Sequence, residues 1–423
     1  MGKLVIITAL VVSCSRGGDV STVSQSVEMP WSMHTIASGY NGADGVDLAD
    51  LNGDGFKDVA TGWEGGGNAT VSLNPGPLLA GSPWPTVKVN SSPLYGLEDA
   101  IIADVDVDGH PDVISAGESN KRITIHFAPS DFADVLNATK WLSVTVSASV
   151  NVQRYMKSAW VDIDGNGSGD IVVGGKVMPA TVGYYSSATP RVGSSWVYTT
   201  ISPASWIMSI LPTDLDGDGD LDLVVTDKDY IHTSPPDYTY IGTRWLENLG
   251  ALGWVNHTIY QGGSHRFARL HDLDSDGDLD IVGGRATPAD ELVKHINLGD
   301  GAAWASTLSA APADFGDYQG NAVGDIDLDG DIDFALSGQA DGLESGIVWI
   351  DSAGVRHEVS GTLGAKFDNL ELIDLDADGD LDIVTSEETD QLGVIFYENP
   401  YAVAAPDAGP DATVCLCPCE CPP

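Results

Sequence analysis

Cysteine is almost missing from this chain of 423 residues: one stands at Cys14, and the other four, Cys415, Cys417, Cys419 and Cys421, crowd the extreme C-terminus. Disulfide staples are therefore excluded from everything between, and a fold there must be held by packing or by bound ions. Basic residues are the second shortage. Lys and Arg number 19 against 62 Asp and Glu, a formal charge of −43, which excludes a surface that grips nucleic acid by its phosphates. An apolar run long enough to cross a bilayer is also lacking, since the stretch "LVIITALVV" at 4–12 has only nine residues. No nucleophile elbow, no H-E-x-x-H and no phosphate loop occurs, so three common routes to hydrolysis and nucleotide chemistry are without their motifs.

What is abundant is aspartate, and it is patterned. The nonapeptide Asp214-Leu215-Asp216-Gly217-Asp218-Gly219-Asp220-Leu221-Asp222 has six near-copies, and the seven begin at Asp50, Asp104, Asp162, Asp214, Asp272, Asp325 and Asp374. Their steps of 54, 58, 52, 58, 53 and 49 residues mark a repeat architecture. Acids at positions 1, 3 and 5 of a tight turn converge on one point, and Gly at position 6 supplies a backbone conformation that other side chains resist. Four acids so close repel one another unless a cation lies between them. The spacing matches the first nine residues of an EF-hand loop without its Glu at position 12, so position 9 is expected to close the site. Calcium, with its many oxygen ligands and tolerant geometry, fits better than magnesium.

The expected ligands are Asp50, Asn52, Asp54 and Asp58 in the first loop, Asp104, Asp106, Asp108 and Asp112 in the second, and Asp162, Asp164, Asn166 and Asp170 in the third. Asp214, Asp216, Asp218 and Asp222 follow, then Asp272, Asp274, Asp276 and Asp280. The last two sets are Asp325, Asp327, Asp329 and Asp333, and Asp374, Asp376, Asp378 and Asp382. Asn in loops one and three keeps the oxygen but removes a charge, so those sites should be the weaker. Up to seven Ca²⁺ would add fourteen positive charges and leave −29.

The run D-x-D-x-D-G-x-x-D followed by "LDLVVT", "LDIVGG" or "LDIVTS" resembles the FG-GAP/VCBS repeat family, also seen in integrin alpha propellers, over about residues 31–400. The resemblance implies a β-propeller with one calcium loop per blade between two strands. Independent patterns agree. "WSMHTI" at 31 recurs as "WPTVKV" at 84, "WLSVTV" at 141, "WVYTTI" at 196, "WVNHTI" at 254 and "WASTLS" at 304, each alternating as a half-buried strand does, with "VRHEVS" at 355 lacking the Trp. With the strands before and after each acidic loop and a third such as "TRWLENLG", this makes four strands per blade. The last repeat ends on its third strand, so "WSMHTI" is expected to supply its fourth and close a seven-bladed all-β propeller without an open edge.

Outside the repeats, residues 1–13 read as a lipoprotein-type signal peptide, with Val11-Val12-Ser13-Cys14 placing Cys14 as the lipidated residue, and 14–30 as a tether. Residues 401–423 read as a Pro/Asp/Cys-rich disordered tail. An exported, monomeric protein follows, on the outer membrane or cell surface if lipidated, touching a membrane only through that lipid anchor.

The segments preceding the acidic loops differ from copy to copy, and they supply the candidate ligand-binding residues Arg154, Tyr155, Lys157, Trp206, His265, Arg266 and Tyr318. A mixed aromatic and charged funnel of that kind suits a sugar, an acidic one included. The expected function is a non-catalytic, calcium-binding surface module for adhesion, with a polysaccharide or protein ligand. The alternative is a polysaccharide lyase on the same propeller, in which Tyr155 or His265 is the base and Arg266 neutralises a uronate.

Overall fold

Seven times the alternation of a strand breaks at an acidic loop and resumes directly after it, and this hairpin is the unit from which the molecule is built. The computed structural model describes residues 31–228, 242–286, 289–312, 314–340 and 344–401. The signal segment, the tether with Cys14, and the tail from 402 onward lie outside the described residues. Within them there is no α-helix, and the strands form five four-stranded antiparallel sheets and one of six strands.

Each acidic loop joins a first strand to a second that begins at loop position 9. The first strands are Ala43–Ala49, Leu97–Ala103, Arg154–Val161, the latter half of Val197–Thr213, His265–His271, Asp317–Gly324 and Phe367–Ile373. The second strands start at Asp58, Asp112, Asp170, Asp222, Asp280, Asp333 and Asp382. Third and fourth strands follow in order across each sheet. The six-stranded sheet arises because Asp170–Ser186 and Val197–Thr213 run on without a break, the latter pairing with Ala180–Ser186 at one end and with Asp222–Asp227 at the other.

The fourth strand of the last sheet comes from the other end of the chain. Ser32–Ala37 pairs antiparallel with Gly393–Glu398, Ser32 opposite Glu398 and Thr35 opposite Ile395. His34 stacks on Phe396 at 4.8 Å and bonds Glu398 through Nε2 at 2.8 Å.

Apolar side chains lie between sheets, face against face. Val71 and Leu97 belong to one such layer, Ile123 and Tyr155 to the next, then Val172 with Ile207, Val224 with Ile281, Val282 with Tyr318, and Trp349 with Phe367. A further layer joins Val46 and Trp63 of the first sheet to Val384 and Phe396 of the last. At about 25 cal/mol per Å² of apolar surface removed from water, these layers supply the main favourable term of folding. The repeated Trp of the fourth strands is part of this packing and also ties down the turn before it: Nε1 of Trp84, Trp141 and Trp304 donates to the carbonyls of Ala80, Val135 and Gly301 at 2.8–2.9 Å.

Candidate functional site

The acidic loops share one hydrogen-bond plan. The position-6 Gly N–H donates to the position-1 carboxylate in all seven, from Gly167 to Asp162 at 2.8 Å through Gly379 to Asp374 at 3.1 Å. That Gly has φ between +88° and +102° in every loop, and at Gly55, Gly109, Gly167, Gly219, Gly277 and Gly330 a Cβ would meet nothing within 4 Å, so backbone conformation and not space requires it. Position 7 donates to the position-5 side chain, as in His110 to Asp108 at 3.0 Å and Asp331 to Asp329 at 2.9 Å.

Position 9 has a second occupation. Its carboxylate is buried, and one oxygen accepts the N–H of position 2 in every loop, as in Leu273 to Asp280 at 2.7 Å. In five sheets the other oxygen accepts an N–H at or just past the end of the third strand, from Asn74, Ala128, Asn248, Asn297 and Asn399 at 2.7–2.9 Å. Burial is the main reason these acids are pushed up, Asp112 to about 8, Asp58, Asp170 and Asp382 to about 7, and Asp222 and Asp333 to about 6. Asn at that strand-end position was an unread signal in "LNPG", "ENLG" and "ENPY". Its side chain reaches the preceding acidic loop, Asn248 Nδ2 donating to Ile163 O and Asn399 Nδ2 to Ile326 O; Asn74 Nδ2 donates to Leu375 O of the last sheet at 3.1 Å.

The residues present fit a cation. In at least four loops three acids bring oxygens within 4.8 Å of one another, among them Asp214, Asp216 and Asp218, and Asp162, Asp164 and Asp170. Asp106 Oδ1, Asp325 Oδ1 and Asp376 Oδ1 are buried without a hydrogen-bond partner. Orphaned, converging carboxylate oxygens are what a hard oxygen-seeking ion satisfies.

At the opposite ends of the same strands lies a cavity of about 320 Å³ to which all seven first strands contribute. The reason is a shared irregularity. Each first strand loses register near its start, leaving unpaired Gly45, Glu98, Met156, Met208, Arg266 with Phe267, Gln319, and Asp368 with Asn369. A bulge re-aims a side chain, and Glu98, Met156, Met208, Arg266, Gln319 and Asp368 line the cavity, with Asp44 beside Gly45. A second tier stands six residues after each position 9: Glu64, Lys176, Lys228, Gln339 and Glu388. Larger hollows of about 380 and 550 Å³ sit between neighbouring acidic loops, the first within the six-stranded sheet and the second between two adjacent sheets.

Residues 162–225, which hold the third and fourth acidic loops, match the FG-GAP-like repeat family. That segment carries an FG-GAP-like repeat. Comparison with curated proteins finds no match. Among solved structures, a BBS1N chain crystallised in complex with ARL6DN and soaked with mercury is similar over 88% of this chain and 97% of its own, with a TM-score of 0.51 and 11% identity. At that identity the likeness is one of fold, and it agrees with a β-propeller built of the four-stranded sheets described above.

Of the seven residues expected to bind ligand, Trp206 and Arg266 line the cavity, and the other five stand elsewhere. Tyr155 is fully buried, its hydroxyl 2.9 Å from Ser149 O and 2.6 Å from Tyr185 Oη. His265 is buried with Nδ1 2.9 Å from Thr243 Oγ1, and burial pushes its imidazole down to about 4. Tyr318 packs between sheets against Gly284, where a Cβ would stand 1.8 Å from its ring. Arg154 pairs with Glu118, and Lys157 with Asp99, each at 2.7 Å. Difference between copies marked these residues, and packing and ion pairing produce such difference as readily as binding does. Tyr155, His265 and Arg266 are therefore not assembled as the lyase alternative requires.

The second acidic loop already holds a cation of the protein's own. Arg191, from the turn before Val197–Thr213, donates Nε to Asp106 Oδ2 and Nη2 to Asp108 Oδ2, the latter at 3.0 Å, with its guanidinium 4.6 Å above Phe127.

Proposed function

We propose that the chain is a closed seven-bladed propeller, stabilised by calcium in its acidic loops and acting as a non-catalytic binding module whose ligand enters the cavity at the other end of the first strands. The observation that carries the reading is that cavity, to which every first strand gives a side chain. Seven blades and closure are supported by the pairing of Ser32–Ala37 with the last sheet and by the apolar layer between first and last sheets. Positions 1, 3, 5 and 9 of the loops would hold the ion, which supplies charge neutralisation to acids that otherwise repel. Export, a lipid on Cys14 and a monomeric state complete the proposal, with a surface polysaccharide or protein as partner.

The full chain passed over immobilised polysaccharides in calcium is expected to be retained on at least one, without breakdown of the sugar, and to be released on chelation. Retention on none of them would turn the search to a protein ligand, and unsaturated sugar product would make the module an enzyme.

Calcium occupancy should be uneven. Arg191 competes in the second loop, so Arg191→Ala is expected to add about one calcium per chain by equilibrium dialysis at limiting calcium, where the wild type leaves that loop unfilled. Equal counts for both proteins would show that the guanidinium yields to the ion.

A further inference from the structure

The cavity holds two cations that no carboxylate contacts directly, although Asp368 in the same wall acts on both from a distance. Lys176 and Lys366, on its rim, are taken up by acids: Lys176 Nζ lies 2.9 Å from Glu98 and 3.0 Å from Glu118, and Lys366 pairs with Glu388 and, at 3.6 Å, with Asp368. Lys228 and Arg266 are different. Among the described residues neither makes an ion pair with a carboxylate, in a chain where acids outnumber bases 62 to 19. Arg266 Nε is buried without a hydrogen-bond partner, and Lys228 Nζ has only the Trp206 ring, 4.4 Å from its centroid.

Such cations are costly to hold. Burial pushes the Lys228 ammonium down to about 7, with Arg266, Lys366 and Lys176 adding to the effect, and it lowers Arg266 in the same direction. Trp206, under Lys228, is tied down through its backbone, whose N–H donates to Asp227 Oδ1 at 3.2 Å, and Asp227 is buried against Arg244, both essentially without exposure. A site that leaves two cations unpaired beside a braced aromatic face is built to receive an anion.

The rest of the wall narrows the class. Gln319 and Gln339 offer donors and acceptors, the carboxylates of Asp44 and Asp368 accept, and Asp368 Oδ2 is buried with no partner. Acceptors in the same wall as cations suit a ligand with several hydroxyl donors and one negative charge. The volume of about 320 Å³ is that of a small ligand pocket, room for one sugar-sized ring and not for a folded peptide.

We propose that the cavity binds a sugar acid, a uronate or its like, with the carboxylate between Lys228 and Arg266 and hydroxyls directed to the acids and amides of the same wall. This rests on the binding-module reading and names the ligand class of that same site. No bond is made or broken in it.

The test is titration of the full, calcium-loaded chain with sodium glucuronate and galacturonate by calorimetry, at fixed ionic strength, beside glucose and acetate. The uronates should bind at least tenfold more tightly than either control. Lys228→Met and Arg266→Met should each weaken uronate binding tenfold or more while the calcium-loaded melting temperature stays within a few degrees of wild type. If either Met variant fails to fold, Lys228→Gln and Arg266→Gln serve in its place. Glucose binding as well as uronate, acetate binding as well as uronate, or variants that bind like wild type would each overturn the proposal. No uronate binding by a chain that polysaccharide still retains in calcium would overturn the sugar-acid assignment and leave the binding module standing.

Discussion

Chelation of the calcium-loaded protein is expected to lower its melting temperature by roughly 10 °C or more, given about 2–4 °C per kcal/mol for a domain of this order of size. An ion that binds only the folded state contributes about 2.7 kcal/mol per site at a hundredfold excess over its dissociation constant. Three or four filled loops thus exceed the whole stability of many domains. The body of the chain has no Cys with which to compensate. An unchanged melt in EDTA would mean that the loops are empty.

The chelated protein should also respond to pH with a definite sign. Burial raises Asp58, Asp170 and Asp382 to about 7 and Asp112 to about 8, above the usual carboxylate value. Between about pH 4 and 8 the folded state then holds more protons than the unfolded one, so stability falls as pH rises through that window. Acidification from pH 8 to 6 should raise the melting temperature in EDTA. In calcium the trend should reverse, because the ion requires ionised ligands.

The second large effect separates two jobs within one loop. Asp382→Ala removes the acceptor of Leu375 N–H at 3.1 Å and of Asn399 N–H at 2.9 Å, both in buried surroundings. Two orphaned donors cost about 1–3 kcal/mol each, so a loss of about 2–6 kcal/mol is expected in urea unfolding, with calcium or without. Asp378→Ala touches only the exposed part of the same loop, where Asp380 N–H donates to it. Its cost should appear in calcium and nearly vanish in EDTA. An Asp382 effect that also vanished on chelation would show that position 9 acts through the ion alone.

The scaffold was legible because its causes are local and repeated. The left-handed Gly of each loop, the alternation of the Trp-led strands and the missing fourth strand of the last repeat all lie in contiguous sequence, and the structure places strands where each points. The cavity was legible only in part. Arg266 and Trp206 differ from their counterparts in other repeats and drew notice, whereas Tyr155 and His265 differ for reasons of packing. Lys228 went unread because it stands after the second strand, beyond the segment compared; only the hairpin folds it back beside Arg266. A comparison six residues past each position 9 would have exposed the series Glu64, Glu118, Lys176, Lys228, Ala286, Gln339 and Glu388, whose charge changes sign along the chain.

The strand lent by one end of the chain to the other governs when the protein can be finished. Ser32 and Glu398 become neighbours only across roughly 360 intervening residues. Joining ends so far apart costs about 5 kcal/mol of loop-closure entropy, and it must wait until the final hairpin has been synthesised. Until the two ends meet, Gly393–Glu398 has no partner on that side, and Ser32–Ala37 has none at all. Whatever assembles earlier is a partly built row with sticky borders, so a nascent or truncated chain should need shielding that the completed one does not.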